Sequence, residues 1–205
     1  TGQAVLIDCG ANAECTPEYL VQFAYLGSFY AQQVLGLARP RVGLLNIGAE
    51  DSKGTDLQKQ TLARLKEADA AGHLHFIGNI EAKEAIKGGC DVIVTDGFSG
   101  NILLKTMEGV GSFAGSALKS MFKKNLLTKL AALAVMPGLK AFKDKLDPNK
   151  VGGTAFIGIS KAVIKAHGAS NAEAIENAVG QAAAFARSGL IEKIEENVNL
   201  MKIEQ

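Results

Sequence analysis

Four short apolar runs, each leading into a turn of Gly, Asn or Asp and then into a helical pattern, constrain this chain more than any other feature. The clearest is Asp91-Val92-Ile93-Val94-Thr95, whose core is β-branched throughout. The others are residues 4–8, 42–46 and 74–77. Apolar runs of this length without polar alternation read as strands buried on both faces. Strands that alternate with helices imply a parallel sheet. Thr16 and Pro17 open a predicted helix that runs to about Leu35, before Pro40. Thr55 caps a second helix to about Ala71, a short third covers about Ala82 to Lys87, and a long one starts near Asn101. Beyond Gly153, strands are expected over Phe156 to Ile159 and Val163 to Ala166. A helix capped by Ser170 then runs to about Ser188, and a last helix covers about Ile191 to Met201. The expected fold class is α/β, one domain over residues 1–205, with a mostly parallel sheet and helices on both faces.

Composition narrows the class. Hydrophobic residues make up 47% of the 205 and charged ones 21%, so the chain can bury a core and is not chiefly disordered. Cys9, Cys15 and Cys90 are odd in number and form no C-x-x-C pair, which predicts buried thiols in a reducing cytosol. The longest apolar stretch beside a basic flank, Leu130 to Met136, falls far short of the ~20 residues of a membrane span. The sequence opens at Thr1, without a methionine and close to its first strand, as a piece of a longer protein would.

The turns at the strand ends carry the candidate chemistry. They are Asp8-Cys9-Gly10-Ala11-Asn12, Asn46-Ile47-Gly48, Gly78-Asn79, and Asp96-Gly97-Phe98-Ser99-Gly100-Asn101. In open parallel sheets, ligands bind beyond the carboxyl ends of the strands. Glycine lets backbone approach an anion, and a helix start adds free N–H groups. Gly97, Ser99, Gly100 and Asn101, with Lys105 one turn on, therefore make a candidate phosphate cradle. Any one of these turns is also an ordinary βα connection; four at four strand ends argue for a shared site. There is no G-x-G-x-x-G, no P-loop, no G-x-S-x-G elbow and no zinc spacing. His73 and His75 lack ligand-like partners, whereas His167, between a strand and a helix cap, is a candidate site residue. No metal or cofactor is expected.

Charge is unevenly spread. Residues 119–150 hold eight lysines against Asp144 and Asp147, a local +6, while the rest carries −5. Leu118, Phe122, Leu126, Leu130 and Leu133 form one apolar stripe, with lysines off it and a break expected at Pro137-Gly138. An amphipathic basic segment over residues 118–147 suits an anionic lipid surface or a partner subunit. Lys123, Lys124, Lys129, Lys140 and Lys143 are its candidate contacts to membrane or to an acidic carrier protein. Without arginine or stacking aromatics it does not read as a nucleic-acid site.

The motifs V-G-L-L-N-I-G (Val42 to Gly48), F-I-G-N-I-E (Phe76 to Glu81), D-G-F-S-G-N (Asp96 to Asn101) and K-A-H-G-A-S-N (Lys165 to Asn171) resemble, in the same order, the PlsX family of bacterial phosphate acyltransferases of phospholipid synthesis. The resemblance implies a fold like phosphotransacetylases and the isocitrate-dehydrogenase group. It implies conversion of acyl-[acyl carrier protein] and inorganic phosphate to acyl phosphate. It also implies a homodimer in the cytoplasm, peripherally bound at the inner face of the membrane, whose product a glycerol-3-phosphate acyltransferase consumes. Family members carry a further N-terminal portion with a D-A-M-G-G-D motif that this sequence lacks. In such a reaction Gly97, Ser99, Gly100, Asn101 and Lys105 are expected to hold phosphate. Asn46, Asn79 or His167 are expected to steady the developing oxyanion, with Asp96 orienting its neighbours. A short-chain phosphotransacylase using coenzyme A, and a non-catalytic membrane-surface module that binds a phosphorylated ligand, are the alternatives.

Overall fold

The computed structural model describes residues 3–146 and 152–202. Its main sheet has four parallel strands, β1 (Val5–Ile7), β2 (Val42–Asn46), β3 (Phe76–Glu81) and β4 (Val92–Val94), in the order β1-β4-β2-β3. β4 is an interior strand: Val92 pairs with Val5 on one side and Val42 on the other. All three of its residues are buried, which suits a β-branched run packed on both faces.

Helix α1 (Pro17–Gln33) packs on β1 and β4, and α2 (Asp56–Ala70) on β3 and β2. Pro17 occupies the first helical position after Thr16, where its missing N–H leaves no bond unmade. Gly27 lets α1 approach the sheet: a Cβ there would stand 2.6 Å from Val92 Cγ1 and 3.2 Å from Ile7 Cγ2. At the start of α2, the Thr55 N–H donates to Gln58 Oε1 at 3.1 Å, half of a capping box. On the opposite sheet face, Ile80, Cys90 and Ile93 cluster with Ala85 of α3 (Ala82–Ile86), flanked by Leu6 and Leu45. Gly43 lies beneath this cluster, its hypothetical Cβ only 2.8 Å from Ile80 Cγ2. Burial pushes the Cys90 thiol up to about 11, as an inert core cysteine should be.

Several boundaries differ from the sequence reading. Gly78-Asn79 is not a strand end. The register passes from Val42↔Phe76 to Leu44↔Asn79, a bulge of one residue. Gly78, at φ +93°, absorbs it and the strand resumes to Glu81. The long helix α4 (Gly97–Lys123) begins four residues before Asn101, because Asp96 accepts the Ser99 N–H at 2.8 Å as an N-cap. Strand β5 (Gly153–Phe156) lies earlier than expected, and the positive φ of Gly158 stands where extension to Ile159 was predicted. It forms a two-stranded sheet with β6 (Val163–Ala166). Asn171, not Ser170, caps α6 (Ala172–Arg187) by accepting the Ala174 N–H at 2.9 Å.

The chain divides into two compact units. The first runs through Leu103, with Phe156–Val163 and the segment from Ala184 on. It contains the four-stranded sheet and, near its end, α7 (Leu190–Glu196) and a 3-10 turn (Val198–Met201). Gln22 of α1 holds that turn by donating from Nε2 to the Met201 carbonyl at 2.6 Å. The second unit takes Leu104–Ala155 and Ile164–Ala183. Within it, α6 lies close over Gly152, whose hypothetical Cβ would meet Ala178 N at 2.5 Å.

The basic segment is two helices, but the break is not at Pro137. It falls between α4 and α5 (Leu126–Leu146). There Asn125 Oδ1 accepts the Thr128 N–H at 2.9 Å and Thr128 Oγ1 accepts the Asn125 N–H at 3.1 Å. This reciprocal cap starts α5 afresh. Pro137 lies inside α5, and the carbonyl it leaves unbonded belongs to exposed Leu133. Leu118 and Phe122 are half-buried in α4, whereas Leu126, Leu130 and Leu133 are exposed on α5. The side chains of Lys143 and Lys145, and Lys150 entirely, lie outside the described residues. No described helix is long and apolar enough to cross a membrane.

At the amino ends of the strands, Arg41 is a clasp. Its N–H and Nε donate to Asp91 Oδ2 at 2.8 and 3.0 Å and its Nη2 to Oδ1 at 2.9 Å. Its guanidinium also reaches the Gly88 and Gly89 carbonyls. The Arg41 hydrogen bond holds the Asp91 carboxyl below its ordinary value. Asp91→Ala should lower stability by about 1–2 kcal/mol, the scale of a partly exposed charged hydrogen-bond set. Because the folded pKa is the lower one, the wild-type advantage is full above the unfolded pKa of ~3.9 and vanishes as pH falls through the folded value. Urea unfolding of both proteins between pH 7 and acid checks the size and the convergence.

Candidate active site

The carboxyl ends of β1 and β4 are welded beyond the strands themselves. Asp8 N–H donates to the Thr95 carbonyl at 2.9 Å, and Thr95 N–H to the Ile7 carbonyl at 2.8 Å. Two loops therefore leave the sheet side by side, each headed by a buried aspartate: Asp8 and Asp96 are both 8% exposed.

Each aspartate occupies the N–H groups of its own loop. Asp8 Oδ1 accepts from Gly10 N and Ala11 N, both at 3.1 Å, and Oδ2 from Asn12 N at 2.6 Å and Asn12 Nδ2 at 3.0 Å. Asp96 Oδ1 takes the Ser99 N–H. The Asn12 carbonyl then accepts the Gly97 N–H at 2.9 Å, joining the β1–α1 loop to the first turn of α4. Glycine is needed at this joint for space. A Cβ on Gly97 would lie 2.4 Å from the Asn12 carbonyl oxygen, and one on Gly100 would lie 1.9 Å from the Asp8 carbonyl oxygen. Gly10, at φ +121°, lies against Asn101, whose Cγ would be 3.5 Å from a Cβ there.

The cradle expected at this turn thus has its backbone donors at Gly97 and Ser99 engaged within the protein. What the turn presents outward is side chain: half-buried Ser99 and exposed Asn101. Lys105 belongs to the second unit, where its amine pairs with Glu108 at 2.8 Å. Beside this turn lies an open groove lined by Ala13, Cys15, Leu57, Asp96 and Phe98, among others. Burial, and then the charges of Asp96 and Asp8, raise the Cys15 thiol above its ordinary value, so it stays protonated at neutral pH.

The two asparagines expected to steady an oxyanion serve the β2–α2 loop. Asn46 Nδ2 donates to the Lys53 carbonyl at 3.2 Å, and its Oδ1 accepts the Ile47 N–H at 2.8 Å. Asn79 Nδ2 donates to the Glu50 carbonyl at 3.0 Å, leaving its buried Oδ1 with no protein partner. His167 lies in the second unit, exposed, its Nδ1 accepting the Ala169 N–H at 3.1 Å. The structure therefore brings Asp96, Gly97, Ser99, Gly100 and Asn101 together on one turn, with Asn46 and Asn79 bracing a separate loop of the same unit. Asp8 and Asn12 were noted in sequence only as part of a strand end. Nothing in the spacing revealed that they tie that end to α4.

A family model described as "Fatty acid synthesis protein" matches residues 1–193. Among similar curated proteins, one from Alkaliphilus oremlandii named phosphate acyltransferase is 48% identical over 97% of this chain and 58% of its own length. Proteins of the same name from Brevibacillus brevis and Bacillus licheniformis are each 46% identical, over 94% and 95% of this chain and 56% and 58% of their own lengths. This chain thus spans under three fifths of the length of these relatives.

Gly100→Ala should cost about 1–3 kcal/mol, as an overpacked site does, since the new methyl meets backbone. Gly109→Ala, on the same helix with nothing within 4 Å of its Cβ, should be neutral or stabilise by up to about 1 kcal/mol. Thermal unfolding of the two variants separates close packing from helix propensity.

Proposed function

The chain belongs to the fatty acid synthesis protein family, and from that premise we propose that it forms part of a phosphate acyltransferase making acyl phosphate for phospholipid synthesis. The acyl donor is an acyl-[acyl carrier protein] and the acceptor is inorganic phosphate. A phosphate oxygen forms a bond to the thioester carbonyl carbon, the C–S bond breaks, and the thiolate leaves and is protonated. Phosphate is already anionic at neutral pH and a thiol with pKa ~8.5 is a competent leaving group. The protein's work is therefore to hold phosphate in line and to stabilise the oxyanion.

The observation that carries this reading is the joint between the Asp8 and Asp96 loops, which fixes Ser99 and Asn101 at the carboxyl edge of the sheet. With the backbone donors of Gly97 and Ser99 engaged, phosphate is held by the Ser99 hydroxyl and the Asn101 amide. Gly97 and Gly100 give the close approach. Asp96 orients this turn as its cap and does not act as a base. Asn46 and Asn79 are the proposed oxyanion partners, acting from their anchored loop.

The α5 surface supports peripheral attachment to an anionic membrane at its cytoplasmic face, with the chain as a homodimer. Leu126, Leu127, Leu130 and Leu133 are all more than half exposed, and Lys123, Lys124, Lys129 and Lys140 are exposed along the same segment. An apolar face beside lysines fits the interface of an acidic bilayer. Lysines there also suit the acidic carrier protein. Acyl phosphate released at that surface is in reach of a glycerol-3-phosphate acyltransferase.

In the full-length enzyme, Ser99→Ala with Asn101→Ala should raise the KM for phosphate about tenfold or more, on the scale of two lost hydrogen bonds to an anion. Steady-state assays with acyl-carrier thioester check this, and an unchanged KM removes the turn from the site. Lys123→Glu, Lys124→Glu and Lys129→Glu together should abolish co-sedimentation with phosphatidylserine-containing vesicles, while the wild type releases as salt rises. Persistent sedimentation of the triple variant would rule out electrostatic docking through this segment.

A further inference from the structure

We propose that Asp8 is a positioning residue for acyl transfer, one that sets the place of Asn101 and Ser99 through the backbone of the β1–α1 loop. The inference rests on the phosphate reading of that turn and extends it to a residue that does not touch the ligand. Asp8 is buried, and both of its carboxylate oxygens are filled by the loop: Gly10 and Ala11 on Oδ1, Asn12 backbone and side chain on Oδ2. From there two routes lead to α4. The Asn12 carbonyl receives the Gly97 N–H at 2.9 Å, and Gly10 forms the surface against which the Asn101 side chain lies.

The demand on Asp8 is specific to a carboxylate. Four donors converge on two oxygens, and an amide of the same shape keeps only one acceptor oxygen. Asp8→Asn therefore loses two of the four bonds and turns an N–H toward loop donors. With the loop loosened, Gly97 loses its fixed acceptor and Asn101 its wall, while the strand pairing of Asp8 N–H with Thr95 is untouched. Such a change removes preorganisation rather than a reacting group.

The test uses the full-length enzyme with acyl-carrier thioester and inorganic phosphate. Asp8→Asn should raise the phosphate KM about tenfold with kcat changed by less than about threefold, the pattern of lost ground-state and transition-state binding alike. A purely structural Asp8 would instead lower the melting temperature and the active fraction, hence apparent kcat, and leave KM alone. Asp8→Asn added to the variant with Ser99→Ala and Asn101→Ala should raise KM by no more than about twofold further, because Asp8 acts only through those two contacts. Full multiplication of the two effects would overturn the coupling. If Asp8→Asn does not fold, Asn12→Ala, at an exposed position, deletes one of the four bonds and should raise KM about twofold to threefold; an unchanged KM overturns the proposal. If Ser99→Ala with Asn101→Ala raises KM while Asp8→Asn does not, the role of Asp8 falls and the phosphate site stands. If the Ser99 and Asn101 variant is itself unchanged, the phosphate reading falls and this inference with it.

Discussion

The pairing of β1 with β4 outlasts the strands. Past Ile7 and Val94 the bonds from Asp8 N–H to the Thr95 carbonyl and from Thr95 N–H to the Ile7 carbonyl carry the ladder one step further, and the order at the carboxyl edge depends on that step. It brings two aspartates out of the sheet as neighbours at the heads of two loops. Each loop would otherwise leave N–H groups unbonded in a partly buried place, which is costly. The aspartates satisfy most of them, and the contact from Gly97 to Asn12 ties the two solutions into one body. Remove the extended ladder and neither carboxylate has a fixed position from which to organise its loop.

This arrangement bears on how the edge can meet an anion. A helix start with open N–H groups attracts phosphate through its backbone. Here a carboxylate of the chain already sits at the start of α4, and a second fills the concavity of the β1–α1 loop. Both loop heads have N–H groups occupied by these side chains before any ligand arrives. An anion approaching this edge therefore finds the Gly97 and Ser99 N–H groups already engaged and meets side chains instead.

Much of the fold is legible in the sequence, because the determinants are local. The β-branched run at 92–94, the Thr16-Pro17 start and the Thr55 cap each specify their element without reference to the rest of the chain. The misjudged boundaries have a common cause. Gly78 looks like a stop and is a bulge, Pro137 looks like a break and is carried within α5, and Asn101 looks like a helix start though Asp96 caps the helix earlier. In each case tertiary pairing or a competing cap overrode a residue's ordinary meaning. The candidate turn from Asp96 to Asn101 was visible because its residues are adjacent. The contribution of Asp8 and Asn12 was not, since it rests on hydrogen bonds between segments nearly ninety positions apart, and the pattern of a strand end is the same whether or not its carboxylate braces another loop.

The bulge at Gly78 has a further consequence. In a strand, the side to which a residue points is a matter of odd and even count. Phe76 and Asn79 are three apart, yet both stand opposite residues of β2 that share one face. Gly78 therefore resets the parity of the strand midway. Apolar Phe76 faces the helices early in β3, and polar Asn79 faces the same side later, beneath the β2–α2 loop it anchors. Ile80 is delivered to the opposite cluster by the same shift. A regular strand of the same residues, without the bulge, would exchange its two faces from there on, sending Ile80 under the loop and Asn79 into the apolar cluster. A single glycine in a left-handed conformation thus decides which side of the sheet is oily and which can be wet.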